Sequence, residues 1–134
     1  MKAKRSSVVT VMLLISTAIF SQNIKFEKTV HDFGTIKEAN GRVTYDFIFK
    51  NTGKAPLIIN KVTATCGCTT PEWPKRPIMP GKTSILKAIY DPENRPGTFE
   101  KTITIYSNAK NDGSYHLKIK GDVIPKALPK LPNK

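Results

Sequence analysis

The sequence predicts an all-β domain built as a two-layer sandwich, and three observations lead to this fold class. Turn-forming glycine, proline and asparagine residues recur at short intervals along the 134 residues. The runs between them are rich in Ile, Val, Thr, Phe and Tyr, which suit pleated strands. No run after the first 21 residues has a helical period. Six or seven short strands in about 100 residues bury their apolar side chains best between two packed sheets.

Three runs alternate between apolar and polar side chains clearly enough to assign their faces: residues 42–51, 98–108 and 114–123. A period of two places one set of side chains in a core and the other in water. The predicted inward set is Val43, Tyr45, Phe47, Phe49, Phe99, Ile103, Ile105, Tyr115, Leu117, Ile119, Gly121 and Val123. Residues 24–30, 57–65 and 83–90 are weaker strand predictions.

The N-terminus has the layout of a secretion signal. Lys2, Lys4 and Arg5 precede an uncharged, mostly apolar run of about 13 residues, which is shorter than a membrane-spanning helix needs. Ser21 is a suitable small residue before cleavage. We therefore predict a signal peptide over residues 1–21, a sandwich domain over residues 22–124, and a flexible tail rich in proline and lysine over residues 125–134. The predicted location is the periplasm or the outside of the cell, with no stable membrane anchor after cleavage.

The charge of the chain is strongly basic. Removing residues 1–21 takes away three of the 22 Lys and Arg residues and none of the ten acidic residues, which leaves a net charge of +9. An exported domain does not normally meet genomic nucleic acid, so an anionic partner would be an envelope or extracellular one. Because the lysines are scattered along the chain, a solvated lysine surface without a partner is the favoured interpretation of the charge.

Cys66-Gly67-Cys68 holds the two cysteines of the chain. Cysteines of exported proteins usually pair across the fold, but within this chain these two can pair only with each other or stay reduced. A disulfide between them closes a loop of about three residues, which the loop-entropy relation values at only about 1.6 kcal/mol. Glycine between them permits the required bend. Three interpretations stay open: a structural or unassigned pair, a thiol-exchange or redox site, and a metal site.

The metal interpretation needs soft ligands. Two thiolates suit copper(I), and Met79 is a third soft ligand nearby in sequence, so Cys66, Cys68 and Met79 form the candidate set. Zinc would need four ligands, and His31 and His116 lie far away in sequence. His31 is expected to support a turn, and His116 to face solvent. The main expectation is that the protein has no cofactor.

Catalysis has little support in the sequence. The chain has no ordered Ser-His-Asp set, no glycine-rich phosphate loop and no paired carboxylates in a pocket-like context. We therefore predict that the protein is not an enzyme and has no catalytic residues. Trp73, in a proline-rich loop, is a candidate binding anchor because Trp is enriched at interface hot spots. The alternative is that Trp73 caps one end of the core.

The order of several short motifs resembles the DUF1573 family of exported bacterial proteins, and more loosely the Ig-like domains of the Hydin and major-sperm-protein type. The motifs are His31-Asp32-Phe33-Gly34-Thr35-Ile36, Phe49-Lys50-Asn51-Thr52-Gly53, Pro56-Leu57-Ile58-Ile59, Cys66-Gly67-Cys68-Thr69, Pro80-Gly81-Lys82, Tyr90-Asp91-Pro92, Pro96-Gly97 and Lys120-Gly121-Asp122-Val123. The resemblance covers about residues 26–124. It implies an Ig-like β-sandwich, which we predict with about seven antiparallel strands, in a secreted or periplasmic protein, and it implies no activity.

The function predicted from the sequence is a non-catalytic protein-interaction or envelope module with an unidentified partner. The alternative is a thiol, redox or copper(I)-handling protein that uses Cys66 and Cys68. An exposed strand edge can accept a strand from another chain, and the first strand, in residues 24–30, is the predicted edge.

Overall fold

A computed structural model describes residues 23–110 and 114–127, and these residues form eight strands. A short 3-10 helix over Glu38–Asn40 follows the second strand. The strands are β1 (Ile24–Phe26), β2 (Val30–Lys37), β3 (Val43–Asn51), β4 (Ile59–Ala64), β5 (Thr69–Glu72), β6 (Thr83–Tyr90), β7 (Gly97–Ser107) and β8 (Ser114–Ile124).

The strands form two four-stranded sheets. One sheet has the order β1-β3-β6-β5 and the other the order β2-β8-β7-β4. The prediction of a β-sandwich is confirmed. The described residues form eight strands where about seven are predicted, and one pair, β2 with β8, is parallel and not antiparallel as expected. The sequence predicts no separate strand for β2 or β5, because it ends the first strand at Val30, places His31 at a turn and places Pro71 in a proline-rich loop.

The first predicted strand, residues 24–30, is divided between the two sheets. Ile24–Phe26 pairs with β3 in one sheet, and Val30 already pairs with Lys118 of β8 in the other. Residues 27–29 carry the chain across. Residues 24–26 are therefore an edge strand, as the sequence predicts, but one of only three residues.

The core lies between the sheets and contains the side chains that alternation placed there. Phe47, Phe49, Ile103, Leu117 and Ile119 are each no more than 1% exposed. Alternation identifies this set because residues two apart in a strand point to the same face.

The fully buried Asn51 at the end of β3 has its polar atoms satisfied. Its amide Nδ2 donates to the carbonyls of Ala55 and Ile78, each at 2.8 Å, and its Oδ1 accepts from the Gly53 N–H at 2.9 Å. The Asn51 side chain therefore fixes the loop that follows β3.

The predicted signal peptide, residues 1–21, and most of the predicted tail lie outside the described residues. The first tail residues are within them, and the Lys126 N–H donates to Oε2 of Glu38 at 2.9 Å. Within residues 23–110 and 114–127, no helix is long and apolar enough to cross a membrane.

Candidate functional site

One side of the sandwich leaves part of β3 without a neighbouring strand. On that side β1 pairs only with Phe49, Lys50 and Asn51, and the Glu27 N–H adds one bond of 3.0 Å to the Ile48 carbonyl. On its other side β3 pairs with β6 without interruption from residue 43 to residue 50. Among the described residues, the first half of β3 therefore has one neighbouring strand, β6, whereas the second half has two, β6 and β1.

The direction of the free backbone groups follows from the hydrogen bonds further along β3. The Ile48 carbonyl and the Thr52 N–H both bond toward β1, whereas the N–H and carbonyl of Asn51 bond to Lys82 and Gly81 on the opposite side. Backbone groups alternate in direction along a strand. The N–H and carbonyl groups of Thr44 and Asp46 therefore face the open side, and both residues are exposed.

Aromatic side chains form the inner wall beside this open stretch. The ring of His31, on β2, stacks on Tyr45 of β3 with centroids 3.6 Å apart and planes at 10°. Phe33 meets the His31 ring edge-on at 4.6 Å, and Tyr45 meets Phe47 edge-on at 4.8 Å. Burial, followed by the charge of Lys28, lowers the pKa of His31, which keeps the ring neutral at neutral pH.

The turn that His31 was expected to support is held by its neighbour. The Gly34 N–H donates to Oδ1 of Asp32 at 2.8 Å, and Gly34 adopts a φ of +65°. The pairing of β2 with β8 shifts register at this point, between Asp32 and Thr35. His31 instead contributes packing between the sheets, whereas His116 is exposed, as expected, with its Nδ1 3.2 Å from Thr104 Oγ1.

The opposite side of the sandwich contains the cysteines, in the turn between edge strands β4 and β5. Cys66 and Cys68 form a disulfide with their Cα atoms 5.3 Å apart. The Thr65 N–H donates to the Thr102 carbonyl of β7 at 3.1 Å, and the Asp91 N–H donates to the Cys68 carbonyl at 2.8 Å. The turn is therefore fixed to one sheet before Cys66 and to the other sheet at Cys68.

The two cysteines differ in exposure. Cys68 is only 3% exposed and belongs to the core cluster, while Cys66 is half-buried. The Cys68 N–H donates to the Cys66 Sγ at 3.2 Å, and the Cys68 Sγ lies 3.9 Å from Thr69 Oγ1. Gly67 is exposed and does not have a positive φ, so this bend does not use the backbone freedom peculiar to glycine.

The structure brings Cys66 and Cys68 together but does not bring Met79 to them. The Met79 carbonyl accepts from Lys82 immediately before β6 begins, whereas Cys68 bonds to Asp91 immediately after β6 ends. The eight residues of β6 separate these points by roughly 26 Å. No group of three or more His, Cys, Asp or Glu side chains suited to a metal occurs in the described residues.

Trp73 follows edge strand β5 and packs partly against the core. Lys75 covers its ring, with Nζ 3.1 Å from the ring centroid. A shallow surface depression lies beside Trp73, lined also by Asp46, Glu72, Ile85 and Lys87. The ring is therefore partly exposed but already has a cation over one face.

Thr44 and Asp46 are the site residues that sequence reasoning missed. They occupy the polar, outward positions of the β3 alternation and carry no chemical motif. Their importance depends on where β1 ends, and the only local signal of that end is the polar segment Glu27-Lys28-Thr29. This segment was included in the predicted first strand.

Solved structures of similar shape share the fold at low sequence identity. A Porphyromonas gingivalis protein of unknown function gives a TM-score of 0.69 at 20% identity, over 83% of this chain and 51% of that chain. The PapD-like domain 7 of human CEP192 gives 0.65 at 8% identity, over 92% and 100%. The periplasmic chaperone SfaE gives 0.50 at 11% identity, over 82% and 61%. The Ig-like class of the sandwich is thereby confirmed.

These similarities show the architecture alone, and the chain spans about half the length of the Porphyromonas gingivalis protein. No curated protein sequence matches the chain. A family model matches residues 24–123, nearly the whole sandwich from the first residue of β1. The chain therefore belongs to the DUF1573 family, whose description is a protein of unknown function.

Proposed function

We propose that the protein is an exported, non-catalytic interaction module that binds an extended segment of a partner protein along the open half of β3. The observation that carries this proposal is that the N–H and carbonyl groups of Thr44 and Asp46 face a side of β3 on which no strand of the described residues pairs with them. An exposed strand edge is a template for a strand from another chain.

The other sheet edges are less suitable for strand addition. Strand β5 is four residues long and contains Pro71, which cannot donate to a strand ladder. Strand β2 shifts register between Asp32 and Thr35, and β4 shifts register between Ile59 and Lys61. Irregularities of this kind protect edges from pairing. The open half of β3 has no such device, because its register with β6 is continuous.

The geometry of the site specifies the kind of segment that fits. A segment antiparallel to β3 would continue the line of β1 and could make up to four backbone hydrogen bonds with Thr44 and Asp46. Each such bond contributes about 0.5–1.5 kcal/mol net, so side chains must supply much of the affinity and the specificity. Apolar residues at alternate positions would meet the wall formed by Tyr45 and His31.

Export is the second part of the proposal, and it is supported by the basic and apolar residues of the N-terminus. The resemblance in fold to a periplasmic chaperone agrees with it. The partner would then be an envelope or extracellular protein, and the net charge of +9 after cleavage favours an anionic one. Cell fractionation with N-terminal sequencing tests this part. Recovery outside the cytoplasm with a terminus near Gln22 is expected, and an intact Met1 on cytoplasmic protein would contradict export.

The binding mode can be tested with peptides selected from a phage-displayed random library on the folded protein. Thr44→Pro removes the N–H that faces the open side without removing a bond to β6, whereas Thr44→Val is the matched control that keeps the N–H. The peptides should bind wild type and Thr44→Val alike and lose at least tenfold in affinity for Thr44→Pro, equivalent to about 1.4 kcal/mol. Binding should also slow hydrogen exchange at the amides of Thr44 and Asp46.

A second arm leaves the protein unchanged, in case proline disturbs the fold. Methylating the backbone nitrogens of the peptide at alternate positions removes the donors for strand pairing, and one of the two alternate sets should abolish binding. Peptides that tolerate both sets and leave the Thr44 and Asp46 amides unprotected would show that strand addition is not the mode of binding.

A further inference from the structure

The disulfide turn contains two sulfur atoms in different environments. Cys68 belongs to the core, and its carbonyl is bound by the Asp91 N–H at 2.8 Å. Cys66 is half-buried in the turn before it, next to the exposed Gly67. A Cβ added to Gly67 would meet no atom of residues other than its neighbours Cys66 and Cys68 within 4 Å, so no distant segment covers the middle of the turn. Cys66, which packs only partly against the core, is therefore the cysteine that an incoming thiol or disulfide meets first.

We propose that Cys66 and Cys68 form a thiol–disulfide exchange site, in which Cys66 is the sulfur that attacks and is attacked, and Cys68 is the resolving sulfur. This activity is separate from the proposed strand-binding function and lies on the opposite side of the sandwich. The reacting partner is a disulfide or a dithiol of a protein or a small molecule.

The hydrogen bond inside the turn supports this division of roles. The Cys68 N–H lies 3.2 Å from the Cys66 Sγ, where it would stabilise negative charge on that sulfur once the pair is reduced. The thiolate is the reactive form of a cysteine. The less buried cysteine is thus also the one whose sulfur a backbone donor contacts, while the Cys68 Sγ has the Thr69 hydroxyl at 3.9 Å.

The exchange balances in two steps. The Cys66 thiolate attacks one sulfur of a partner disulfide, so a mixed disulfide forms and the first partner thiolate leaves with the electron pair. The Cys68 thiol loses its proton and attacks the Cys66 Sγ, so the Cys66–Cys68 bond forms and the second partner thiolate leaves. Counting the proton that Cys66 releases when it becomes a thiolate, the two cysteines lose two electrons and two protons, and the two partner thiolates take up these protons to become thiols. The reverse sequence oxidises a partner dithiol.

Single serine variants test the assignment, because each leaves one sulfur in its place. In folded protein, the thiol of Cys68→Ser should react with Ellman's reagent at least roughly tenfold faster than the thiol of Cys66→Ser. In concentrated urea the two rates should converge, because the difference comes from the fold. Equal rates in the folded proteins, or a faster Cys66→Ser protein, would overturn the assignment of roles.

Equilibration with glutathione distinguishes a thiol–disulfide exchange site from a structural disulfide. Wild-type protein is equilibrated with reduced and oxidised glutathione at several ratios, and alkylation followed by mass spectrometry measures the reduced fraction. We expect this fraction to change across the ratios, and Cys68→Ser to accumulate glutathione on Cys66. Wild-type protein that stays fully oxidised or fully reduced at every ratio, or a Cys68→Ser protein without the mixed disulfide, would overturn the proposal even if strand binding is intact.

Discussion

Two short connections join edge strands of opposite sheets, one at each side of the sandwich, and they are held in different ways. Residues 27–29 join β1 to β2 and carry no covalent closure. Residues 65–68 join β4 to β5 and contain the disulfide. The first connection leaves its sheet after three residues of pairing and leaves half of β3 uncovered. The second is hydrogen-bonded to β7 and to the residue after β6, and it contains the disulfide.

The comparison shows that two connections between the same two sheets leave different chemical groups available on the two sides of the sandwich. At the first connection the chain departs early, so the unpaired groups belong to the neighbouring strand. At the second the chain bends tightly, so the unusual groups belong to the turn itself. Backbone binding is proposed for the first side and thiol exchange for the second, and substitutions can test how each connection is held.

The largest loss in the free energy of unfolding is expected at the first connection, which begins after Phe26, the last residue of β1. Its ring lies 5.3 Å from Phe49 and 6.0 Å from Tyr115, centroid to centroid. Phe26→Ala should lower the free energy of unfolding by about 3 kcal/mol, because it leaves a cavity where β1 meets the core. Urea unfolding measures this, with Lys25→Ala as the exposed control. A Phe26→Ala loss no larger than that of the control would show that packing does not hold this connection.

A smaller effect is expected where β2 continues from the first connection along β8. A Cβ on Gly121 would lie 2.8 Å from Phe99 Cε1, closer than real contacts allow, and 3.0 Å from the Gly34 carbonyl oxygen, which is a tight contact. Gly121→Ala should therefore cost about 1–3 kcal/mol through overpacking. Gly67→Ala, in the disulfide turn, meets open space and should change stability by less than about 0.5 kcal/mol. Similar melting temperatures for both variants would contradict the crowding at Gly121.

The double variant Cys66→Ser, Cys68→Ser tests whether the second connection depends on its covalent bond. The loop between the cysteines is so short that removing the disulfide should cost at most about 1.6 kcal/mol. The hydrogen bonds from Thr65 to Thr102 and from Asp91 to Cys68 use backbone carbonyls and stay available. Urea unfolding of the double variant and of oxidised wild type measures this cost, and reduced wild type is the control for the change from sulfur to oxygen. A loss of several kcal/mol would identify the pair as a structural staple.

The smallest effect is expected at Glu38, which lies just after β2. Its Oε1 accepts from the Asn94 N–H at 2.8 Å and its Oε2 from the Lys126 N–H at 2.9 Å. These two bonds, with Asn94 the larger cause, lower the pKa of Glu38 below its ordinary 4.5. A carboxylate with a lowered folded-state pKa stabilises the fold fully above its ordinary pKa, and this stabilisation is lost as the pH falls through the folded value.

The measurement compares the free energies of unfolding of wild type and Glu38→Gln from neutral to acidic pH. Wild type should be the more stable protein at neutral pH, and the difference in the free energy of unfolding should shrink as the pH falls below the ordinary pKa and Glu38 takes up its proton. The comparison removes the contributions of Asp91 and Glu100, whose pKa values are also lowered, by hydrogen bonds to Glu93 and Lys118. A difference that is constant with pH would show that the carboxylate charge is not what holds Asn94 and Lys126.

The sequence predicted the core better than the connections. Alternation placed Phe47, Phe49 and Leu117 correctly, because a period of two is a local property of each strand. It missed β5, in which Pro71 gave residues 69–72 the appearance of a loop, although an edge strand can accommodate a proline. The alternation pattern also merged β1 with the first residue of β2 into one strand, because the connection of three residues between them barely interrupts the run of strand-forming residues.

Local patterns in the sequence establish that the chain forms strands, which of their faces are apolar, and that within this chain its two cysteines can pair only with each other. The three-dimensional fold was needed to show that β3 extends beyond β1, that Thr44 and Asp46 face an open side, and that Cys68 is buried while Cys66 is half-buried. Strand pairing and burial could not be found locally because they depend on segments distant in the chain. Phe26 reaches Tyr115 of β8, and Cys68 reaches Asp91 beyond β6. A local alternation specifies a face, but it does not specify which strand lies beside it or where that neighbour ends.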